Sequence, residues 1–373
     1  MAKLQEKLSK LEMMRGLAAL YVMFTHLVHS SSLGLGHRLG QLVVLPFHFS
    51  QETVMLFFLI SGFVIFFSTE KQQPDFATYL SRRWRRIYPI FLLSMCLSTI
   101  DVVMLKSQPF PWRDFFGNLF MLQDNGGTPG NWFPEFGDNG PLWSLSYEWW
   151  FYILFYPIWR FVPTLWQQIT ATSISFVGLI GYACHPNQPC LYLAYFIVWW
   201  TGVEFARQYV AEGRVTFQSQ RTTIVILVGF VGLVTVLLSL SAHHYYHWSL
   251  LAAETKGYLS FREYPIIQMR HFAAGLMIAV GALAWQKIGW VGFDAIFGIF
   301  KHFAPISYGI YALHYIFITG SFFLFLPDWA SPCMAMAASF VAAWLAEVPF
   351  QRLVNRWTSF LPNRTIRSSG KSG

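Results

Sequence analysis

Apolar runs of about twenty residues recur along the chain, separated by short polar or basic breaks. At 1.5 Å per helical residue, such a run matches the roughly 30 Å apolar thickness of a bilayer. The pattern predicts helices near 13–33, 50–68, 87–106, 141–161, 165–183, 190–207, 222–242, 266–285, 303–326 and 332–352. Residues 286–302 (QKIGWVGFDAIFGIFKH) also admit an interfacial or re-entrant reading. An even number of spans places both ends of the chain on one side. The first run has no small-residue cleavage site, so it is expected to be retained rather than removed as a signal peptide.

The expected fold is all-α. It is a polytopic membrane helical bundle of about ten transmembrane helices with both termini cytoplasmic. One transmembrane domain covers 1–355, and a short basic cytoplasmic tail covers 356–373. Charge placement fixes the orientation. With the N-terminus inside, 20 of the 26 Lys and Arg residues fall in inner segments, and 6 fall outside. Lys and Arg gather at cytoplasmic helix ends, so the expected location is the inner (plasma) membrane.

Composition sharpens this picture. The chain is 55% hydrophobic and 12% charged, against about 25% charged residues in soluble domains. The net charge of +8 is accounted for by basic helix ends and anionic lipids, so no nucleic-acid partner is expected. Two outer loops are large, about 107–140 and 243–265. Their Trp, Tyr, Asn and Asp residues suit either sugar stacking or an interfacial aromatic belt. Cys184 and Cys190 flank a short outer turn, which leaves a disulfide open in an oxidising compartment. No Cys or His spacing resembles a zinc site, so no metal is expected.

The chemistry begins in the first helix, RGLAALYVMFTH. Arg15 and His26 are eleven residues apart, three turns plus about 20°, so they share a face about 16 Å apart along the axis. Arg15 would stand at the cytoplasmic lip and His26 near mid-membrane. An ionisable group at that depth is costly and usually faces an interior cavity. The bland alternatives are a snorkelling anchor for Arg15 and a helix-packing residue for His26. In PLWSLSYEWWFY, Ser144, Glu148 and Tyr152 form one i, i+4, i+8 stripe. Glu148 lies at a depth close to that of His26 and is expected to orient its imidazole; a structural Glu is the alternative. In SYGIYALHY, Ser307, Tyr311 and His314 form another stripe, with His314 at a third matching depth or serving as polar glue. The run RRWRRIYP suits lipid headgroups, or the phosphates of a donor at the inner mouth.

Together these motifs resemble the acyltransferase-3 family of integral membrane acyltransferases over about residues 10–355. The matching segments are LEMMRGLAALYVMFTH, VMLFFLISGFVI (54–65), RRWRRIYP, PLWSLSYEWWFY, SYGIYALHY and EVPF (347–350). The resemblance implies acyl transfer, most often of acetyl, from a cytoplasmic acyl-coenzyme A to a hydroxyl of a carbohydrate or glycosylated product. It implies that Arg15 and His26 are essential and that His26 is catalytic. Arg83 and Arg86 match the family's arginines and would bind the donor. Glu148 matches its WSLSxE carboxylate. Ser144, Tyr152, Ser307, Tyr311 and His314 would form a supporting polar site. Met13 replaces a common Gly, and Gln51, Glu52 and Thr53 replace a Gly-containing approach to the second helix; these departures bear on the shape of the outer site. A membrane transporter and an acyl-handing exporter subunit without sugar-modifying activity of its own are the rival readings. The acceptor, the acyl chain, the oligomeric state and the choice between direct transfer and an acyl-histidine intermediate are not encoded in these motifs.

Overall fold

The computed structural model describes residues 2–30, 45–245, 266–327 and 329–358. Its helices are α1 (Ala2–His29), α2 (Ser50–Gln72), α3 (Phe76–Thr99), α4 (Trp112–Leu119), α5 (Trp143–Phe161), α6 (Thr164–Cys184), α7 (Gln188–Glu212), α8 (Arg221–Tyr245), α9 (Ile266–Lys287), α10 (Phe293–Phe297), α11 (Ser307–Thr319), α12 (Ala330–Leu345) and α13 (Gln351–Trp357). A π-turn at Ile100–Leu105 follows α3, and another at Ala346–Phe350 joins α12 to α13. Among the described residues there is no β-strand, and an isolated bridge joins Gln123 to Phe133.

Among the described residues, six segments are long and apolar enough to cross a membrane: Ser9–His29, Ser50–Gln72, Phe76–Leu105, Gln188–Glu212, Ile266–Lys287 and Ala330–Trp357. The ninth expected span is shorter than predicted. Its α-helix covers Ser307–Thr319, flanked by single 3₁₀ turns. Residues 286–302 pack along the first half of α1, where Lys10 meets Asp294 at 3.3 Å and the backbone of Phe300 lies against Gly16. The second expected loop, from residue 246, and the tail beyond 358 lie outside the described residues, as does the first span beyond residue 30. The Cys184–Cys190 disulfide is not formed. The Cys190 sulfur instead lies over Gly181.

Local sequence sets several boundaries. Asp75 caps α3 by accepting from the Thr78 amide at 2.7 Å, and Asn187 caps α7 by accepting from Cys190 at 3.0 Å. Gly213 ends α7 at φ 69°, a conformation costly for other residues. At the core, α2 crosses α7 backbone to backbone. A Cβ on Gly62 would meet the Trp199 carbonyl oxygen at 2.1 Å, and one on Gly202 would meet that of Leu59 at 2.0 Å. Small residues allow this approach. Around it pack the buried rings of Tyr147, Phe151, Phe155, Phe196, Trp199 and Trp200.

Three helices run parallel and carry the site. Arg15, His26 and Ser30 of the α1 segment meet Ser307, His314 and Ile318 of α11 in order. Ile87 and Asp101 of the α3 segment meet Tyr308 and Ser321 in the same order. The loop 107–140 is cross-linked internally by Asn118. Its amide donates to the carbonyls of Asp114 and Pro134 and accepts from Phe136.

Candidate active site

Helix α11 is the rod on which the site is built. Ser307, Tyr308 and Tyr311 face a cavity near its N-terminal end. His314 occupies the next turn, and Tyr315 and Thr319 face a second cavity near the opposite end. The spacing of three to four residues keeps these groups on adjoining faces of one helix.

The first cavity, of about 150 Å³, collects three guanidinium groups, Arg15, Arg83 and Arg86, with Ser61, Ser144, Glu148, Tyr152 and Tyr311 among its other polar walls. Arg86 pairs with Glu347 at 2.5 Å and stacks over Tyr308 at 5.3 Å. Glu347 also accepts from the Gly309 amide at 3.1 Å. Arg15 makes a long hydrogen bond of 3.4 Å to Ser307, and Arg83 one of 3.5 Å to Ser68. The Arg83 Nε is buried without a hydrogen-bond partner. Clustered guanidiniums with weakly engaged donors suit an anionic ligand, since these forks bind phosphoryl oxygens bidentately. Of the four arginines in RRWRRIYP, Arg83 and Arg86 turn into the cavity, while Arg82 bonds Gln72 and Arg85 bonds Ser81.

Glu148 sits inside this cavity. It accepts from Ser61 at 2.6 Å and from Tyr152. Ser61 is next to Gly62, where α2 crosses α7, and Trp199 of α7 donates to the same hydroxyl at 3.2 Å. The stripe Ser144, Glu148 and Tyr152 therefore lines one cavity as its spacing predicts. The expected pairing of Glu148 with His26 does not occur. A similar helical depth does not imply a shared neighbour, and α5 presents Glu148 to α2 instead.

His26 is paired with His314. Its Nδ1 lies 2.8 Å from the His314 Nε2, and the rings stack with centroids 5.1 Å apart. The His314 Nδ1 lies 2.7 Å from the Ile310 carbonyl. A carbonyl only accepts, so His314 Nδ1 carries a proton. With both rings neutral, His314 Nε2 accepts from His26 Nδ1–H, and the basic lone pair of His26 falls on Nε2. Tyr315 meets the half-buried His26 ring edge-on at 4.9 Å. One turn toward the first cavity, Tyr311 bonds Ser144 at 2.6 Å. This hydroxyl pair stands between the arginine cavity and the histidines.

Sequence reasoning found Glu347 within EVPF but gave it no place in the site, and it missed Tyr315 and the role of Ser61 in holding Glu148. Glu347 was detectable as a carboxylate in an apolar helix, by the logic applied to Glu148. Tyr315 falls off the Ser307–Tyr311–His314 stripe, and its contact depends on how α1 crosses α11. Among the described residues no group of three His, Cys, Asp or Glu side chains converges to hold a metal.

A family model described as an acyltransferase domain matches residues 8–348. The acyltransferase MdmB of Streptomyces mycarofaciens is 29% identical over 161 residues, which is 41% of this chain and 39% of that relative. The match thus spans well under half of the relative's length. No solved structure matches the chain.

Proposed function

Because this chain belongs to the acyltransferase-3 family of membrane acyltransferases, we propose that it transfers an acyl group, most simply acetyl, from acyl-coenzyme A to a hydroxyl of a carbohydrate or glycoside. In this reading ten spans form one unit over 1–355 in the plasma membrane, and the arginine end of the bundle faces the cytoplasm. Lipids surround it, and the acceptor approaches from the other side.

The coenzyme phosphates bind at Arg15, Arg83 and Arg86. The pantetheine arm runs along α1 toward His26, a distance of about 16 Å from Arg15. His26 Nε2 removes the proton of the acceptor hydroxyl as its oxygen attacks the thioester carbonyl. The C–O bond forms, the C–S bond breaks, and the departing thiolate takes the proton back from the imidazolium. A hydroxyl is a poor nucleophile near neutral pH, and a positioned base is worth about 10²–10⁴-fold. His314 holds the tautomer that this step requires. Glu148 offsets the positive charge of the donor cavity.

The observation that carries this reading is a guanidinium-lined cavity and a His26–His314 pair, both built on the same helix, α11. The test is acetyl-coenzyme A cleavage by purified protein in lipid nanodiscs, with mass spectrometry of surface glycans and secreted glycosides from deletion and complemented strains. Acetylated glycoside that disappears with His26→Ala is the expected result. Thioester consumption without an acylated sugar would favour an acyl-handing exporter subunit. Solute movement without thioester cleavage would favour a transporter. A labelled acyl group trapped on the protein without acceptor would identify an acyl-histidine intermediate.

A further inference from the structure

The second cavity is at the end of the bundle opposite Arg15 and has a volume of about 160 Å³. That is far above the roughly 10–15 Å³ that one water needs. Its walls are mainly polar and include Ser98, Asp101, Lys106, Gly137, Asn139 and Tyr315. Asp101 and Lys106 form an ion pair at 2.7 Å. The π-turn Ile100–Leu105, closed by the Lys106 amide on the Asp101 carbonyl at 2.9 Å, brings these two residues side by side. Such single turns are frequent at functional sites.

Two side chains on this wall lack hydrogen-bond partners. Ser98 Oγ and Asn139 Oδ1 are buried and unpaired, each residue being 1% exposed. Asn139 is held in place by its amide, which donates to the Ala312 carbonyl at 3.1 Å. An unmet buried polar group calls for a ligand or water. The adjacent backbone is also unusual: Gly137 and Asp138 are both left-handed, at φ 62° and 56°. A Cβ on Gly137 would lie 2.7 Å from that of Ser98, so glycine keeps this wall open.

We propose that this cavity is the acceptor subsite and that it takes one neutral polyhydroxylated ring, a pyranose or similar sugar. The inference rests on the acyl-transfer reading above. The cavity offers both donors and acceptors, and its ion pair is internally compensated. That chemistry suits a set of hydroxyls better than a phosphate. Tyr315 connects it to the reaction: the same ring lines the cavity and meets His26 at 4.9 Å. Tyr315 is thus the side chain that both lines this cavity and touches the base. Ser98, Asp101, Lys106 and Asn139 become the residues that select the acceptor.

The test uses the full chain in nanodiscs, with Ser98→Cys introduced after the four native cysteines are replaced by serine. A membrane-impermeant methanethiosulfonate labels the new thiol with and without methyl glucoside, galactoside, mannoside or rhamnoside. At about 100 mM, a glycoside with a Kd of about 10 mM should slow labelling about tenfold. Lys106→Cys, at the partly exposed rim, is read in the same way if the first variant does not fold. The proposal is overturned by unchanged labelling with every glycoside, by no labelling at either position, or by glycerol protecting as well as the sugars. Labelling needs no turnover. Failure of the acyl-coenzyme A reading would instead appear as absent thioester cleavage in the unmodified protein.

Discussion

The Nδ1 of His26 lies 2.8 Å from the Nε2 of His314, whose own Nδ1 lies 2.7 Å from the Ile310 carbonyl. The backbone carbonyl sets the proton on the His314 Nδ1, and with both rings neutral this places the His26 proton on its Nδ1. His26→Ala should lower kcat for acyl transfer by about 10²–10⁴-fold while the protein still folds. His314→Gln keeps an acceptor for His26 Nδ1–H and should retain more activity than His314→Leu. Steady-state kinetics on the three variants checks the order. Equal activity in His314→Leu and the wild type would remove His314 from the mechanism.

Glu148 is bonded to Ser61 and Tyr152 rather than to the imidazole. Glu148→Gln should therefore change the apparent KM for acetyl-coenzyme A and leave the pH dependence of kcat in place. A displaced kcat–pH profile would restore a direct link to His26.

Arg83 has an unmet buried Nε, whereas Arg86 is held by Glu347. Arg83→Ala should raise the donor KM about tenfold or more, the loss of a charge-assisted contact of about 1.5–3 kcal/mol. Glu347→Ala should instead lower stability. The Glu347 side chain is 2% exposed and that of Arg86 38%, so the cost of breaking a fully buried pair is discounted to about 1–3 kcal/mol. Donor titration and thermal unfolding separate the two effects.

Gly62 has no room for a side chain against the Trp199 carbonyl. Gly62→Ala should cost about 1–3 kcal/mol through backbone displacement. It should also loosen the bond from Ser61 to Glu148, so both melting temperature and donor KM should respond. Gly229→Ala, where an added Cβ meets nothing within 4 Å, is the control and should leave the donor KM unchanged without lowering the melting temperature.

In the loop 107–140, burial pushes the Asp124 carboxyl up to about 7 and the Glu135 carboxyl up to about 8. Both folded values lie above the ordinary unfolded ones near 4, so the folded loop binds more protons between about pH 4 and pH 8. Their contribution is fully present below about pH 4 and is lost as pH rises through 7 and 8. Thermal unfolding followed from pH 5 to 9 should show stability falling with pH. Asp124→Asn with Glu135→Gln should flatten that profile.

Helix type and approximate extent, the arginine and histidine on one face of α1, and the Ser144–Glu148–Tyr152 stripe were legible in the sequence. Each depends on periodicity within one helix, which 3.6 residues per turn and 1.5 Å per residue make local arithmetic. The partners across helices were not legible. Whether Glu148 meets His26 or Ser61 depends on which helix α5 turns its Glu148 face toward. Whether His26 meets a carboxylate or an imidazole depends on the parallel packing of α1 on α11. The facing of Ser98, Asn139 and Tyr315 into one cavity joins segments more than 170 residues apart. The sequence by itself determined which groups each helix carries and on which face. Tertiary structure alone decided which of them meet, because crossing angle and contact point are set by close packing between helices, and no period within a helix records them.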